Sequence, residues 1–205
     1  MHLNIKTRLR NIRLHFLRGY YHILSNRGGK SLFCNNCTGA VVLHEYHQRF
    51  DTPTVNLFLM PDDYIEFLRD LKTYSQCQLE DVTGDSSYPI GRLAGKVTIH
   101  FLHYPSFVEA ERCWKRRCNR IHWDKLYVSL VESDGCTYEH LKQFDALPYP
   151  HKVALVHRPY SEIKCAFPLT HASHNGKLRQ VLGYYGWFGK RYYDEFDWLR
   201  FLELK

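Results

Sequence analysis

No run of eighteen or more apolar residues occurs in the 205-residue chain, so no stretch is long and apolar enough to cross a membrane as a helix. No compact apolar core with a small-residue cleavage site follows the basic N-terminus, which argues against a secretory leader. Only one Cys-x-x-Cys pair is present, Cys34 and Cys37, and no second pair exists to complete the usual spacing of a zinc site, so zinc is not expected. The seven cysteines, at 34, 37, 77, 113, 118, 136 and 165, are odd in number and scattered. That is the pattern of reduced thiols in a cytoplasmic protein, not of a disulfide framework. Internal repeats and low-complexity tracts are absent. The Gly29-Lys30-Ser31 step lacks the upstream glycine spacing of a phosphate loop and precedes a strand instead of following one.

Acidic residues are missing from positions 1 to 44, which carry Lys6, Arg8, Arg10, Arg13, Arg18, Arg27 and Lys30. The formal charge of +7 is therefore that of this segment, since the remaining 21 basic residues are matched by 21 acidic ones. Within it Ile5, Leu9, Ile12, Phe16, Tyr20 and Ile23 recur at steps of three or four, one face of a helix. A basic amphipathic helix over residues 1–26 suits the anionic inner face of a membrane, at about 1 kcal/mol per basic residue near the surface. Packing of that helix on its own domain or on a partner subunit is the alternative. Nucleic acid is not expected, because no recognised binding motif accompanies the charge. The organisation predicted is a helix and linker over 1–29 and a single domain over 30–205, whose 44% hydrophobic content is enough for one core.

The domain opens with a short apolar strand through Ser31-Leu32-Phe33-Cys34, a turn at Asn35-Asn36, and a helix over about 40–49. Thr54 to Met60 reads as a second strand, and Pro61-Asp62-Asp63 starts a helix running to about Tyr74. A short strand at Leu79 to Val82, an extended segment at Tyr88 to Leu93, and a strand from Lys96 to Tyr104 follow. Ser106 caps a helix to about 120, rich in arginine and lysine, whose basic cluster suits a solvated face or a phosphate-bearing ligand. Strands at Leu126 to Val131 and Lys152 to Val156 flank a helix ending near Ala146. A strand at Ile163 to Phe167, a long loop over 170–190 and a terminal helix complete the chain. The alternation of strands and helices predicts a three-layer α/β fold, a mostly parallel or mixed central sheet with helices on both faces.

Parallel strands would gather the polar residues that follow them at one edge, where open α/β sheets bind ligands. Asn35, Asn36 and Cys37 follow the first strand, Asp62 and Asp63 the second, and His103 and Tyr104 the third. Asp134 and His157 follow the two after that. Cys37 sits at a helix start, where exposed N–H groups favour a thiolate. One chemistry such an edge supports is acyl transfer, with Cys37 or a bound sugar hydroxyl as nucleophile, His103 as base and Asp134 or Asp62 orienting it. Asn35 and Asn36 would then face an oxyanion, and Asp63, Tyr104 and His157 would hold substrate. No metal ligand set is read from these residues.

Several blocks in order carry a resemblance. They are Asn35-Asn36-Cys37 with Gly39, Leu57-Phe58-Leu59-Met60-Pro61-Asp62-Asp63-Tyr64, Tyr88-Pro89-Ile90-Gly91, His100 to Tyr104, Trp114 to Trp123, and Asp134-Gly135-Cys136-Thr137 through Tyr149. Over about residues 30 to 200 the chain resembles a bacterial family of unknown function whose members are often labelled exopolysaccharide or capsule biosynthesis proteins. That family usually has serine, tryptophan and glycine where this chain has Cys34, Thr38 and Ala40, so the Cys34–Cys37 spacing reads as incidental. The resemblance implies an α/β domain and a place in surface-polysaccharide pathways. The expectation is a cytoplasmic, peripheral transferase acting on a sugar or activated sugar, with an acyl-CoA as one donor. A glycosyltransferase and a non-catalytic sugar- or nucleotide-binding subunit are the alternatives.

Overall fold

Four apolar or small residues with no exposed surface, Ser31–Cys34, form β1, the strand on which the domain is built. The computed structural model describes residues 5, 7–13, 15, 16, 29–187 and 189–204. After β1 come α1 (Thr38–Glu45), α2 (Pro61–Arg69), α3 (Leu71–Gln76), β2 (Leu79–Asp81), β3 (Ile90–Leu93), β4 (Val97–His100) and α4 (Phe107–Cys118). They are followed by β5 (Leu126–Val131), α5 (Tyr138–Asp145), β6 (His151–Val156) and β7 (Ala166–Pro168). The C-terminal part holds two hairpins, β8 (Ser173–His174) with β9 (Lys177–Leu178) and β10 (Tyr184–Tyr185) with β11 (Lys190–Arg191), then a short 3-10 turn and α6 (Trp198–Phe201).

The central sheet is parallel throughout, in the order β1-β5-β6-β7. Side chains alternate across it, as strand geometry requires. Phe33, Val128, Leu130, Ala154 and Val156 face one core with Tyr64, Phe67, Trp114 and Phe144 from α2, α4 and α5. Leu32, Cys34, Tyr127, Val131, Val153 and Leu155 face a second core with Val42 and Leu43 of α1 and Tyr193, Trp198 and Leu202. Helices therefore cover both faces, the three-layer α/β arrangement. Gly39 lets α1 lie against β1, since a Cβ at this position would stand 2.7 Å from the Cβ of Cys34.

Two expected strands are corrected. Residues 54–60 form no strand: the chain bends at Val55 and Asn56, where Asn56 takes left-handed backbone (φ +62°), and a single bridge joins Phe58 to His100. Side chains take over the role of a ladder here: Thr54 Oγ1 accepts from Cys34 N at 3.3 Å and lies 3.0 Å from Thr52 Oγ1. The strand ending at His100 is antiparallel, part of a separate three-stranded sheet β2-β3-β4, so Asp62, Asp63, His103 and Tyr104 do not follow strands of the parallel sheet. The helix expected to reach Tyr74 breaks at Asp70 (φ −137°), whose carboxylate caps α3 through Thr73 N. The loop expected over 170–190 contains the β8–β9 hairpin and most of the β10–β11 hairpin.

Residues 5, 7–13, 15 and 16 of the N-terminal segment are helical. Tyr20, Ile23 and most of the expected linker lie outside the described residues. The helix meets the domain through its arginines: Arg10 is 1% exposed and bonds both carboxylate oxygens of Glu45, Asp194 at 2.7 Å and the Tyr193 hydroxyl at 2.9 Å. Arg13 reaches Asp194 at 3.0 Å. Ile5, Leu9, Ile12 and Phe16 are left exposed along the helix.

Candidate functional site

A cleft of about 850 Å³ opens at the carboxyl ends of β1 and β5 and beside the end of β6. The first wall is the β1–α1 turn. Asn36 Oδ1 accepts from Thr38 N at 3.0 Å, which fixes the amide, and among the described residues no hydrogen bond engages its Nδ2. Cys37 is the N-cap residue of α1, and its Sγ lies 3.7 Å from Leu57 O. Burial pushes the Cys37 thiol up, and nearby Cys34 adds to this, so the thiolate expected at a helix start is not favoured.

The second wall follows β5. Asp134 (φ +53°) and Gly135 (φ +83°) both adopt left-handed backbone, which aspartate and glycine tolerate, and the chain turns there into the capped start of α5. Ser133 Oγ donates to Asp134 Oδ2 at 2.8 Å. Cys136 also lines this wall, its thiol pushed up to about 12, first by burial and then by the nearby Glu132 charge.

Between the walls lies a dyad that the sequence reading did not identify. Glu132, just past β5, accepts from His157 N at 2.7 Å, pairs with His157 Nδ1 at 2.8 Å and accepts from the Tyr160 hydroxyl at 2.8 Å. The side chains of Glu132 and His157 are 9% and 15% exposed. A carboxylate on Nδ1 fixes the tautomer with the proton there and leaves Nε2 as the basic nitrogen. Among the described residues no hydrogen bond engages Nε2, and His157 lines the cleft. The signal available in sequence was an acid directly after the buried Leu126–Val131 run, at the carboxyl end of a strand neighbouring the one that ends at His157.

The β8–β9 hairpin closes a third side with Lys177, Arg179 and Gln180. Its turn, Asn175-Gly176 with φ of +48° and +72°, is the two-residue hairpin signature, legible in the sequence but read there as loop. No acid pairs with Lys177 or Arg179 among the described residues.

Of the residues selected from sequence, Asn36, Cys37, His103, Asp134 and His157 line this cleft. His103 stands exposed at the rim beside Leu102, and no hydrogen bond joins Cys37, His103 and Asp134 among the described residues. The other four lie elsewhere. Asn35 is fully buried behind the site, its amide bonded to both Val131 N (2.8 Å) and Val131 O (3.1 Å). Asp62 meets His140 Nε2 at 2.9 Å on the surface. Asp63 accepts from Thr98 N at 2.8 Å, its carboxyl raised chiefly by burial. Tyr104 donates to Val55 O at 2.9 Å and accepts from Arg117.

Fold and cleft define an α/β protein with an open cleft, lined by polar and apolar side chains, at the carboxyl ends of a parallel sheet, the usual ligand edge of such folds. The chain belongs to the family described as "Domain of unknown function (DUF1919)", which matches residues 7–203. It is also similar to a protein of Haemophilus influenzae (strain ATCC 51907 / DSM 11121 / KW20 / Rd) described as "Uncharacterized protein". The two are 37% identical over 177 residues, covering 86% of this chain and 85% of that protein.

Proposed function

We propose that the protein is a transferase of bacterial surface-polysaccharide biosynthesis, in which the cleft binds a sugar and an acyl group is transferred to one of its hydroxyls. The observation that carries this reading is the Glu132–His157 pair, a carboxylate-oriented imidazole lining a large cleft, its second nitrogen without a hydrogen bond among the described residues. His157 Nε2 takes the proton as the sugar oxygen attacks the acyl carbonyl of a thioester donor such as an acyl-CoA. The tetrahedral oxyanion is met by the Asn36 amide, whose oxygen is already engaged by Thr38 N. The C–S bond then breaks, and the proton passes from Nε2 to the departing sulfur. Lys177 and Arg179 on the hairpin suit the phosphates of such a donor.

Cys37 takes the role of a lining thiol in this scheme, because burial disfavours its thiolate and the acceptor hydroxyl attacks directly. Base chemistry moves from His103 to His157, since His157 has an orienting carboxylate and His103 has none among the described residues. The polysaccharide setting rests on the sequence blocks described above. The exposed Ile5, Leu9, Ile12 and Phe16 stripe beside a basic segment supports an anionic membrane face as the place of work, at the cytoplasmic side. The test is complementation: in cells lacking this protein, wild-type chain restores acylated surface polysaccharide, whereas His157→Gln at equal protein level does not. Full restoration by His157→Gln would remove the base on which the reading stands.

A further inference from the structure

A second cleft, of about 450 Å³, lies at the opposite end of the sheet from the first. It is formed where the end of α1 and the segment after it meet the end of α4. That this is the amino end of β1 follows from two bonds: Ser31 Oγ donates to Asp51 O and accepts from His122 N. Four guanidinium groups line it, those of Arg49, Arg116, Arg117 and Arg120, with the imidazoles of His44 and His47 beside them. None of the lining residues is acidic.

Arginines at the last turn of a helix often only complement its dipole and point into water, and Arg112 and Lys115 on α4 are satisfied by surface ion pairs with Glu109 and Glu111. Arg117 is different. It is 8% exposed, and among the described residues it has no carboxylate partner. What holds it is neutral: Nη1 donates to the Tyr104 hydroxyl, itself anchored by donating to Val55 O, and the guanidinium lies 5.9 Å from the centroid of the Phe50 ring. A buried charge without a counter-charge is costly, and such charges are normally paired or bound to a ligand. Arg117 is thus fixed in place by groups that do not neutralise it, with its remaining donors beside a concave surface carrying further cations. Arg120 has no ion pair among the described residues, and Arg49 brings its own counter-ion, Asp51. Guanidinium forks in this number match the oxygens of a phosphate or diphosphate.

We propose that this cleft is a binding site for a phosphate-bearing ligand, with Arg117 as its fixed central contact and Arg116 and Arg120 as its outer ones. The site is independent of the acyl-transfer reading, because it is formed by different elements at the other end of the sheet. The shared chemistry is a phosphate or diphosphate group, carried either by a soluble ligand or by a lipid headgroup.

The probe is inorganic pyrophosphate, titrated into full-length protein by calorimetry and by thermal melting at constant ionic strength. Pyrophosphate is expected to bind and to raise the melting temperature, more so than phosphate at equal concentration. Arg116→Gln/Arg120→Gln, two side chains outside the core, should weaken binding at least about tenfold and leave the unliganded melting temperature unchanged. Arg117→Lys keeps the charge but loses the fork, and should also bind more weakly. Absence of pyrophosphate binding, or equal binding by the double variant, overturns the proposal. Vesicles of phosphatidylcholine with or without phosphatidic acid separate the two sources. Pelleting with phosphatidic acid that pyrophosphate competes away, and that the double variant loses, assigns a lipid headgroup; pyrophosphate binding without such pelleting assigns a soluble ligand.

Discussion

Asn35 shows how the turn after β1 is held in register with β5. Its side chain accepts from Val131 N at 2.8 Å and donates to Val131 O at 3.1 Å, and all these atoms are buried. Asn35→Ala removes both bonds. Val131 O keeps a partner, because Ser133 N donates to it at 2.8 Å, whereas Val131 N is left with none. An orphaned buried donor costs about 1–3 kcal/mol, and the lost amide packing adds about 1 kcal/mol, so the expected loss is about 2–4 kcal/mol. For a domain of this size each kcal/mol moves the melting temperature by about 2–4 °C, which gives a fall of about 4–16 °C by calorimetry. Asn35→Asp refines the test, since one oxygen still accepts from Val131 N while the other faces Val131 O. The folded-state pKa of that buried carboxyl is expected to rise above its unfolded value near 3.9. A raised acid is bound protonated by the fold, so Asn35→Asp should be most stable below about pH 4 and lose stability as pH rises through the folded pKa. An Asn35→Ala protein that melts like wild type would refute this reasoning and return Asn35 to a ligand-binding role.

The remaining predictions concern other parts of the molecule. Because burial raises the Cys37 thiol, its alkylation at pH 7 should be slow and should climb about tenfold per pH unit toward alkaline pH; fast, pH-independent labelling would contradict this. Arg10→Met leaves Glu45 and Asp194 with Arg191 and Arg13 as their cationic partners among the described residues, and should cost toward the lower end of the ~3–5 kcal/mol typical of a broken buried pair, read by urea denaturation. A loss below about 1 kcal/mol would mean that the helix is not held by Arg10. His100 is stacked on Phe58 at 4.4 Å, and burial lowers its pKa against the opposing pull of Asp63. Its neutral form is the one the fold favours, so stability is full above about pH 6.5 and falls as pH drops through the window below it. His100→Gln should flatten that part of the stability profile, and an unchanged slope would assign it to other groups.

Much of the fold was legible because short buried runs bounded by turn residues are strong signals. Leu126–Val131 and Lys152–Val156 are such runs, and both lie in the parallel sheet. Thr54–Met60 has the same look, yet its backbone is satisfied by threonine hydroxyls and loop bonds, a tertiary outcome that no local pattern encodes. Strand direction is equally non-local, so a pattern that suits the parallel sheet for the strand before His103 belongs to an antiparallel one. Within the cleft, Asn36, Cys37, Asp134 and His157 follow from the rule that loops after parallel strands meet at one edge. Glu132 is not legible there, because one acid after a strand is ordinary until its neighbour is known, and Lys177 and Arg179 are hidden because glycines among aromatics over 170–190 mark a loop as readily as a hairpin.

The most direct test of the central claim is acyl transfer by the purified full-length protein from an acyl-CoA to a sugar acceptor. The account predicts that wild type transfers and that His157→Gln, with an unchanged melting temperature, is slower by about 10²- to 10⁴-fold, the usual worth of a general base. Glu132→Gln should be slower as well, and Cys37→Ala should keep most of the rate. Transfer by His157→Gln at the wild-type rate, or no transfer by wild type, would contradict the account.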